Sequence, residues 1–393
     1  MKVAIFSRFP IDPSKPRGGV EAVTVALAPA LAALEQTEVH VLTLERGRER
    51  AASETHQRAT IHRLPASRWP MMADMLFGPG RRAIIAKLRE LMPDVVHTHE
   101  AFGRALPASL PYPQVATVHG FESENISTDR KRGGWFRGPL WLRIEKAGWA
   151  RQKQIISIAP YVREKLRAFT TAQIHDIENP VEARFFDVPR QEEIGRVICV
   201  GWVTERKNTV GSIEAFARIA GEFPQARLVI AGARRDPAYS ARVDEAIRKH
   251  NLAGRIDDLG HVNREQLMRE LGRASVMLLP SFQENAPMAI EEAMAVGVPV
   301  VASNRCGMPT MIAAGVNGFL IEPDDPADIA SRLSALLGDN SLRMKMGAAA
   351  RGSALERFHP HAIARRTRTV YETAIREFES SRGAARATLT ATR

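Results

Sequence analysis

A chain of 393 residues, 45% hydrophobic and 25% charged, is too long for one ordinary core and has the make-up of a globular protein, so two mid-sized domains are expected. No apolar run approaches the roughly 20 residues of a membrane-spanning helix, and Cys199 and Cys306 alone give neither a disulfide framework nor a cysteine-rich metal site. The net charge of +11 favours an anionic partner, whether phosphate-bearing substrate, anionic lipid or nucleic acid.

The opening MKVAIFSRFP lacks the long apolar stretch and small-residue cleavage site of a secretory signal and reads as a first strand, and two cysteines without a disulfide framework fit a reducing cytoplasm. β-rich runs at 3–6, 39–44, 94–99 and 115–120 alternate with helical runs at 20–34 and 81–92, the pattern of a parallel sheet with crossover helices. The second half repeats it with runs at 196–201, 226–232, 275–280 and 298–303. The fold class is therefore α/β, with two doubly wound parallel-sheet domains. Pro180 and Pro189 bracket irregular sequence and place the hinge near 180–192, giving domains of 1–185 and 190–358. A basic helical stretch follows Pro360 to about 380, and the Ser, Gly, Ala and Arg-rich residues 381–393 are expected to be a disordered tail.

Open parallel sheets bind ligands at the carboxyl ends of their strands. The first such place holds Gly18 and Gly19, which let a backbone approach a ligand and open a helix whose N-terminus favours an anion. The second holds His119, directly after a strand; the pair His97 and His99 lacks recognisable zinc spacing and is read as strand-end residues. In the third, Arg206 and Lys207 stand between a strand and the helix near Asn208, suited to two phosphates or to a solvated turn. The fourth is SFQENAPMAIEEAMAVGVPVVAS. Glu284 lies in the loop after a strand, Pro287 fits the first helical turn, Glu292 falls eight residues after Glu284, and Gly297 ends the helix. Free first-turn amides hold phosphate oxygens, and a carboxylate accepts two hydrogen bonds from a vicinal diol. The segment 130–153 interleaves basic residues with Trp135, Phe136, Trp141 and Trp149, and reads either as a face for an anionic membrane or as a helix that packs its tryptophans inward.

Together these segments resemble glycosyltransferase family 4, retaining enzymes of the GT-B fold, from Met1 to about Phe378. The resemblance implies two Rossmann-like domains facing a central cleft, the final helix crossing back to the N-terminal, acceptor-binding domain, and a C-terminal domain that binds a nucleoside-diphosphate sugar. It makes His119, Glu284 and Lys207 catalytic, with Glu284 meeting the transferred sugar. Asn285, Ala286 and Pro287 would offer backbone groups, Glu292 would hold the ribose, and Gly18, Gly19, Arg206 and Lys207 would serve the donor. The base falls to the loop around His261 and Val262. The family's Arg after the Gly of VGR is Trp202 here, and Arg206 is the residue expected to supply the missing charge. The expected reaction uses a UDP- or GDP-sugar and a saccharide or lipid-linked acceptor, in cell-envelope polysaccharide or glycolipid synthesis. It proceeds with retention and without a cofactor, and the chain has no Asp-x-Asp for a metal. The enzyme would be cytoplasmic, with a peripheral site on an anionic membrane. Three rivals remain. Glu45, ending the second strand, suits a nicotinamide-dependent oxidoreductase, but the Gly-x-Gly-x-x-Gly loop is absent. A nucleotide-sugar epimerase can share the GT-B architecture. A binding protein without turnover is the third, and for it the Glu284 and Glu292 pair argues against a nucleic-acid partner.

Overall fold

A computed structural model describes residues 1–69, 74–75, 77–99, 106–107, 110–121, 123 and 134–391. The chain divides into two compact units. One comprises Met1–Ile11, Val20–Glu178 and Pro360–Arg393; the other comprises Asp12–Gly19 and Asn179–His359.

The first unit is built on a sheet of eight strands: β1 (Lys2–Phe6), β2 (Glu38–Arg46), β3 (Ala52–His56), β4 (Ala59–Ala66), β5 (Val95–His99), β6 (Gln114–Val118), β7 (Gln154–Ser157) and β8 (Gln173–Asp176). Their spatial order is β3-β4-β2-β1-β5-β6-β7-β8. All neighbours are parallel except the β3–β4 hairpin at the edge. The helices are α1 (Gly19–Ala32), α2 (Pro79–Leu91), α3 (Gly134–Trp149) and α4 (Pro160–Arg167). Strand alternation sorts the core: Val3 and Ile5 of β1 point to one buried cluster with Leu27 and Leu31 of α1, while Ala4 and Phe6 point to another with Ile84 and Leu88 of α2.

The second unit holds β9 (Arg196–Val200), β10 (Arg227–Ala231), β11 (Ile256–Gly260), β12 (Val276–Leu279), β13 (Val300–Ser303) and β14 (Gly318–Ile321), in the order β11-β10-β9-β12-β13-β14 and parallel throughout. Its helices are α5 (Thr209–Ile219), α6 (Pro237–Lys249), α7 (Arg264–Arg273), α8 (Met288–Val296), α9 (Pro326–Gly338) and α10 (Asn340–Arg357). Ile198, Met277 and Val300 face α7, α8 and α10, while Val197, Val276 and Val301 face α5, α6 and α9. Each face is therefore covered, which explains why these strands read as unbroken apolar runs.

The last helix, α11 (Pro360–Ala391), belongs to the first unit, where Ile363, Val370, Tyr371 and Ala374 join the cluster of Val3 and Ile5. The tail expected to be disordered beyond 380 instead continues this helix to Ala391. Its alanines and arginines are strong helix formers that extend a helix already nucleated by packing, and they need no core of their own. In α3 Trp149 is fully buried and Trp141 half-buried, so Trp149 is unavailable to a membrane surface. The side chains of Trp135 and Phe136 lie outside the described residues. Among those residues no helix is long and apolar enough to cross a membrane.

Candidate active site

In the second unit the carboxyl ends of the strands bring three loops into contact. Gly201, after β9, has φ +131°, and a Cβ there would lie 2.9 Å from Cε of Lys207. Gly232, after β10, packs so tightly that a Cβ would lie 1.8 Å from the carbonyl oxygen of Gly201. Only glycine tolerates either position. Glu205–Lys207 form a single 3₁₀ turn, and Asn208, with φ 54°, caps α5 by accepting from the Gly211 N–H. The Phe282 N–H donates to the Arg206 carbonyl at 2.8 Å, which ties the loop after β12 to this turn.

That tie places two cations on one carboxylate. Lys207 Nζ lies 2.7 Å and Arg206 Nη1 2.5 Å from Oε1 of Glu284, and Arg206 Nη1 also donates to the Gln283 carbonyl at 2.7 Å. Lys207 and Glu284 are largely buried, whereas the Arg206 side chain is 44% exposed. Oε2 of Glu284 has no protein partner among the described residues. The Glu284 carbonyl accepts from the Gly307 N–H at 2.9 Å, and Gly307 has no room for a Cβ, which would lie 1.6 Å from the Asn285 carbonyl oxygen. Asn179 Nδ2 donates to the Ala286 carbonyl at 3.4 Å. Pro287 is the N-cap of α8, one residue before the first turn in which the sequence places it, because the free amides begin at Met288. No side chain caps that turn, and Gly297, with φ 85°, ends the helix. Gly19 lies against the same helix start, its Cβ position 3.6 Å from Cγ of Met288.

Glu292, on the buried side of α8, is bonded to Arg264 at the start of α7. Burial pushes its carboxyl above the ordinary range, and Arg264 partly offsets this. His261 and Val262 lie in the loop just before Arg264, His261 exposed and Val262 half-buried.

His119 belongs to the first unit, directly after β6. Its Nε2 is 2.9 Å from Nδ1 of His99, whose ring stacks on it at 5.1 Å. His97 bonds Tyr371 of α11 at 2.6 Å and Thr117 at 2.7 Å. Burial first, then the neighbouring imidazoles, holds His99 well below the usual histidine range. Glu45 is engaged by Arg48 at 3.0 Å.

Arg206, Lys207 and Glu284 thus form one cluster beside the open amides of α8, and Gly19 borders that helix start at Met288. Gly18 has nothing near its Cβ position. The sequence analysis does not single out Arg264, which holds Glu292. The Asn-x-x-Gln capping box that starts α7 was the available signal for Arg264.

Two family profiles adjoin along this chain: Glycosyltransferase Family 4 over residues 17–185 and Glycosyl transferases group 1 over residues 181–353. The chain belongs to the group 1 glycosyltransferases of the family 4 type. This glycosyltransferase is 27% identical to glycogen synthase of Mycobacterium tuberculosis over 72% of its own length and 69% of the relative's. It is 30% identical to N-acetyl-alpha-D-glucosaminyl L-malate synthase of Bacillus anthracis over 42% of each chain. Sucrose-phosphate synthase from Thermosynechococcus elongatus superposes with a TM-score of 0.80 at 22% identity, covering 95% of this chain and 98% of that one. HepE of Anabaena, crystallised with UDP and glucose, superposes with a TM-score of 0.73 at 16% identity, covering 95% and 99%. At these identities the solved structures speak to the fold, which is GT-B.

Proposed function

We propose that this glycosyltransferase moves a sugar from a nucleoside-diphosphate sugar to a saccharide or lipid-linked acceptor, with retention at the anomeric carbon and without metal or resident cofactor. The observation that carries the reading is the pairing of Lys207 and Arg206 on Oε1 of Glu284, beside the uncapped start of α8. Two cations held on one carboxylate are a charge reserve. An incoming diphosphate competes for them and for the helix amides, and as the bond to the sugar breaks they offset the charge growing on the leaving group. The released Glu284 then accepts from sugar hydroxyls. Gly18, Gly19 and the backbone of Asn285, Ala286 and Pro287 admit the donor closely, His261 and Val262 border the base, Glu292 takes the ribose, and His119 orients the sugar. UDP is the favoured donor nucleotide, supported by the HepE complex; GDP is the alternative. An acceptor at an anionic membrane is supported by α3, on which Leu140 is 59% exposed alongside exposed Arg143 and Lys146.

Thermal-shift screening with UDP, GDP and ADP identifies the nucleotide, because a ligand of the folded state raises the melting temperature by mass action. NMR of the product from a labelled donor, with EDTA and with and without acceptor, tests the rest. Inversion, loss of activity in EDTA, or an altered sugar released without acceptor would each overturn a part of the reading, the last in favour of an epimerase.

A further inference from the structure

Glu292 is 3% exposed and Arg264 6%, so both charges sit where neither is stable alone. Arg264 Nη1 donates to Oε1 of Glu292 at 2.5 Å, and Nε donates to Oε1 of Glu182 at 2.7 Å. The guanidinium carbon stands 4.4 Å from the centroid of the Phe185 ring. Its root is equally fixed. Asn263 and Gln266 close a capping box around the start of α7, and the Arg264 N–H donates to the Ser14 carbonyl at 3.2 Å, in the loop that leads to Gly18 and Gly19. Two carboxylates share one guanidinium. One donor and one acceptor are left over. Arg264 Nη2 is buried with no partner among the described residues, and Oε2 of Glu292 accepts from no protein group among them. An unsatisfied buried guanidinium nitrogen is costly unless a ligand or a water completes it.

We propose that Arg264 is the positioning residue for Glu292: it takes Oε1, fixes the carboxylate's rotamer, and leaves Oε2 with its own Nη2 as an adjacent acceptor and donor for the two hydroxyls of a nucleotide ribose. This rests on the reading of Glu292 as the ribose-binding carboxylate. Glu182 holds the guanidinium from the far side, so that the fork cannot turn away when the ribose leaves. The arrangement selects a ribonucleotide over its 2′-deoxy analogue, because the deoxy sugar leaves either the buried Nη2 of Arg264 or Oε2 of Glu292 without its partner.

Calorimetry with UDP and 2′-deoxy-UDP tests this on the full chain, with the guanine and adenine pairs run alongside and the tightest-bound pair used. The wild type is expected to prefer the ribonucleotide by about tenfold or more, the loss of one buried hydrogen bond to a charged group. Arg264→Met should bring the ratio to within about threefold of unity, and Arg264→Lys should recover only part of it, since an ammonium lacks the fork. Glu182→Gln should lower it less. A wild-type ratio in Arg264→Met overturns the proposal, and should that variant not fold, a wild-type ratio in both Arg264→Lys and Glu182→Gln overturns it. Glu292→Ala separates the two levels. If it keeps the wild-type ratio, the ribose reading itself fails. If it collapses the ratio while Arg264→Met does not, only the role of Arg264 falls.

Discussion

The guanidinium of Arg235 lies 3.5 Å from the centroid of the Trp202 ring. Both are exposed, at the carboxyl ends of β9 and β10, and neighbouring Arg234 is already neutralised by Asp244 and Asp258 at 2.7 Å each. Arg235 has no ion pair among the described residues, so the indole face keeps a cation where the family places an arginine. A stack of this kind contributes roughly 0.5–1 kcal/mol at an exposed site. Arg235→Ala and Trp202→Ala are each expected to weaken UDP binding a few-fold, and the double variant should be no worse than the poorer single one. Unchanged affinity in Arg235→Ala would put the stack outside the reach of the phosphates.

Because Lys207 and Arg206 meet the same oxygen of Glu284, their removals are expected not to add. Lys207→Ala should lower kcat/KM at least about tenfold, since a charge-assisted contact to phosphate is worth roughly 1.5–3 kcal/mol. Arg206→Ala should be clearly impaired, and the double variant should lose less than the product of the two. Wild-type kinetics in Arg206→Ala would reduce it to a solvated partner of Glu284.

Glu284→Gln keeps the loop's backbone contacts while removing the charge that gathers both cations. Nucleotide affinity should stay at or above wild type, since the diphosphate no longer competes with a carboxylate for the two cations, and turnover should fall, because the side chain is assigned to the sugar. If free UDP no longer binds in calorimetry, the roles of Glu284 and Glu292 need exchanging.

Gly307 has φ −83°, which alanine adopts readily, so Gly307→Ala isolates a steric effect. Its methyl would meet the Asn285 carbonyl at 1.6 Å and push the loop of Glu284 aside. Overpacking costs about 1–3 kcal/mol. A modest fall in melting temperature with a much larger fall in turnover is expected; equal activity would mean that the loop gives way without moving Glu284.

His97 is buried in neutral form, its pKa lowered from 6.5 to about 3, first by burial and then by His119. In the unfolded chain it takes a proton near pH 6.5, so its contribution is fully present above that pH and is lost as pH falls towards about 3. The total is on the order of a few kcal/mol. Melting temperatures from pH 7 to pH 4 should fall less steeply in His97→Gln than in the wild type, and parallel curves would remove His97 as a source of acid sensitivity.

The strands legible in the sequence were the central ones. β1, β2, β5 and β6 in one sheet and β9, β10, β12 and β13 in the other are buried on both faces, and apart from the buried His97, Thr98 and His99 of β5 they are mostly apolar. The edges were not legible: β3 (ASETH) is largely solvated, β8 (QIHD) and β11 (IDDLG) are mostly half-buried, and all three carry polar residues. β4 hides behind His62 and Arg63, which are buried and hydrogen-bonded but break an apolar pattern. In the site, the spacing of Glu284 and Glu292 is local to one loop and helix and could be read. Arg264 is 28 residues from Glu292 and 82 from Glu182, and no periodicity links positions that only the sheet order brings together.

The bond between Tyr371 and His97 joins residues 274 apart, and it sets a timetable for biosynthesis. The second unit has all of its chain once His359 has been made, but the first unit lacks the side chains of α11 until residues 360–391 have left the ribosome. Until then the apolar face formed by Val3, Val95 and Val115 keeps its packing against α1 but lacks that against Ile363, Val370 and Tyr371. The half of the protein synthesised first is therefore the half completed last, and its nascent form is the one with most need of a chaperone.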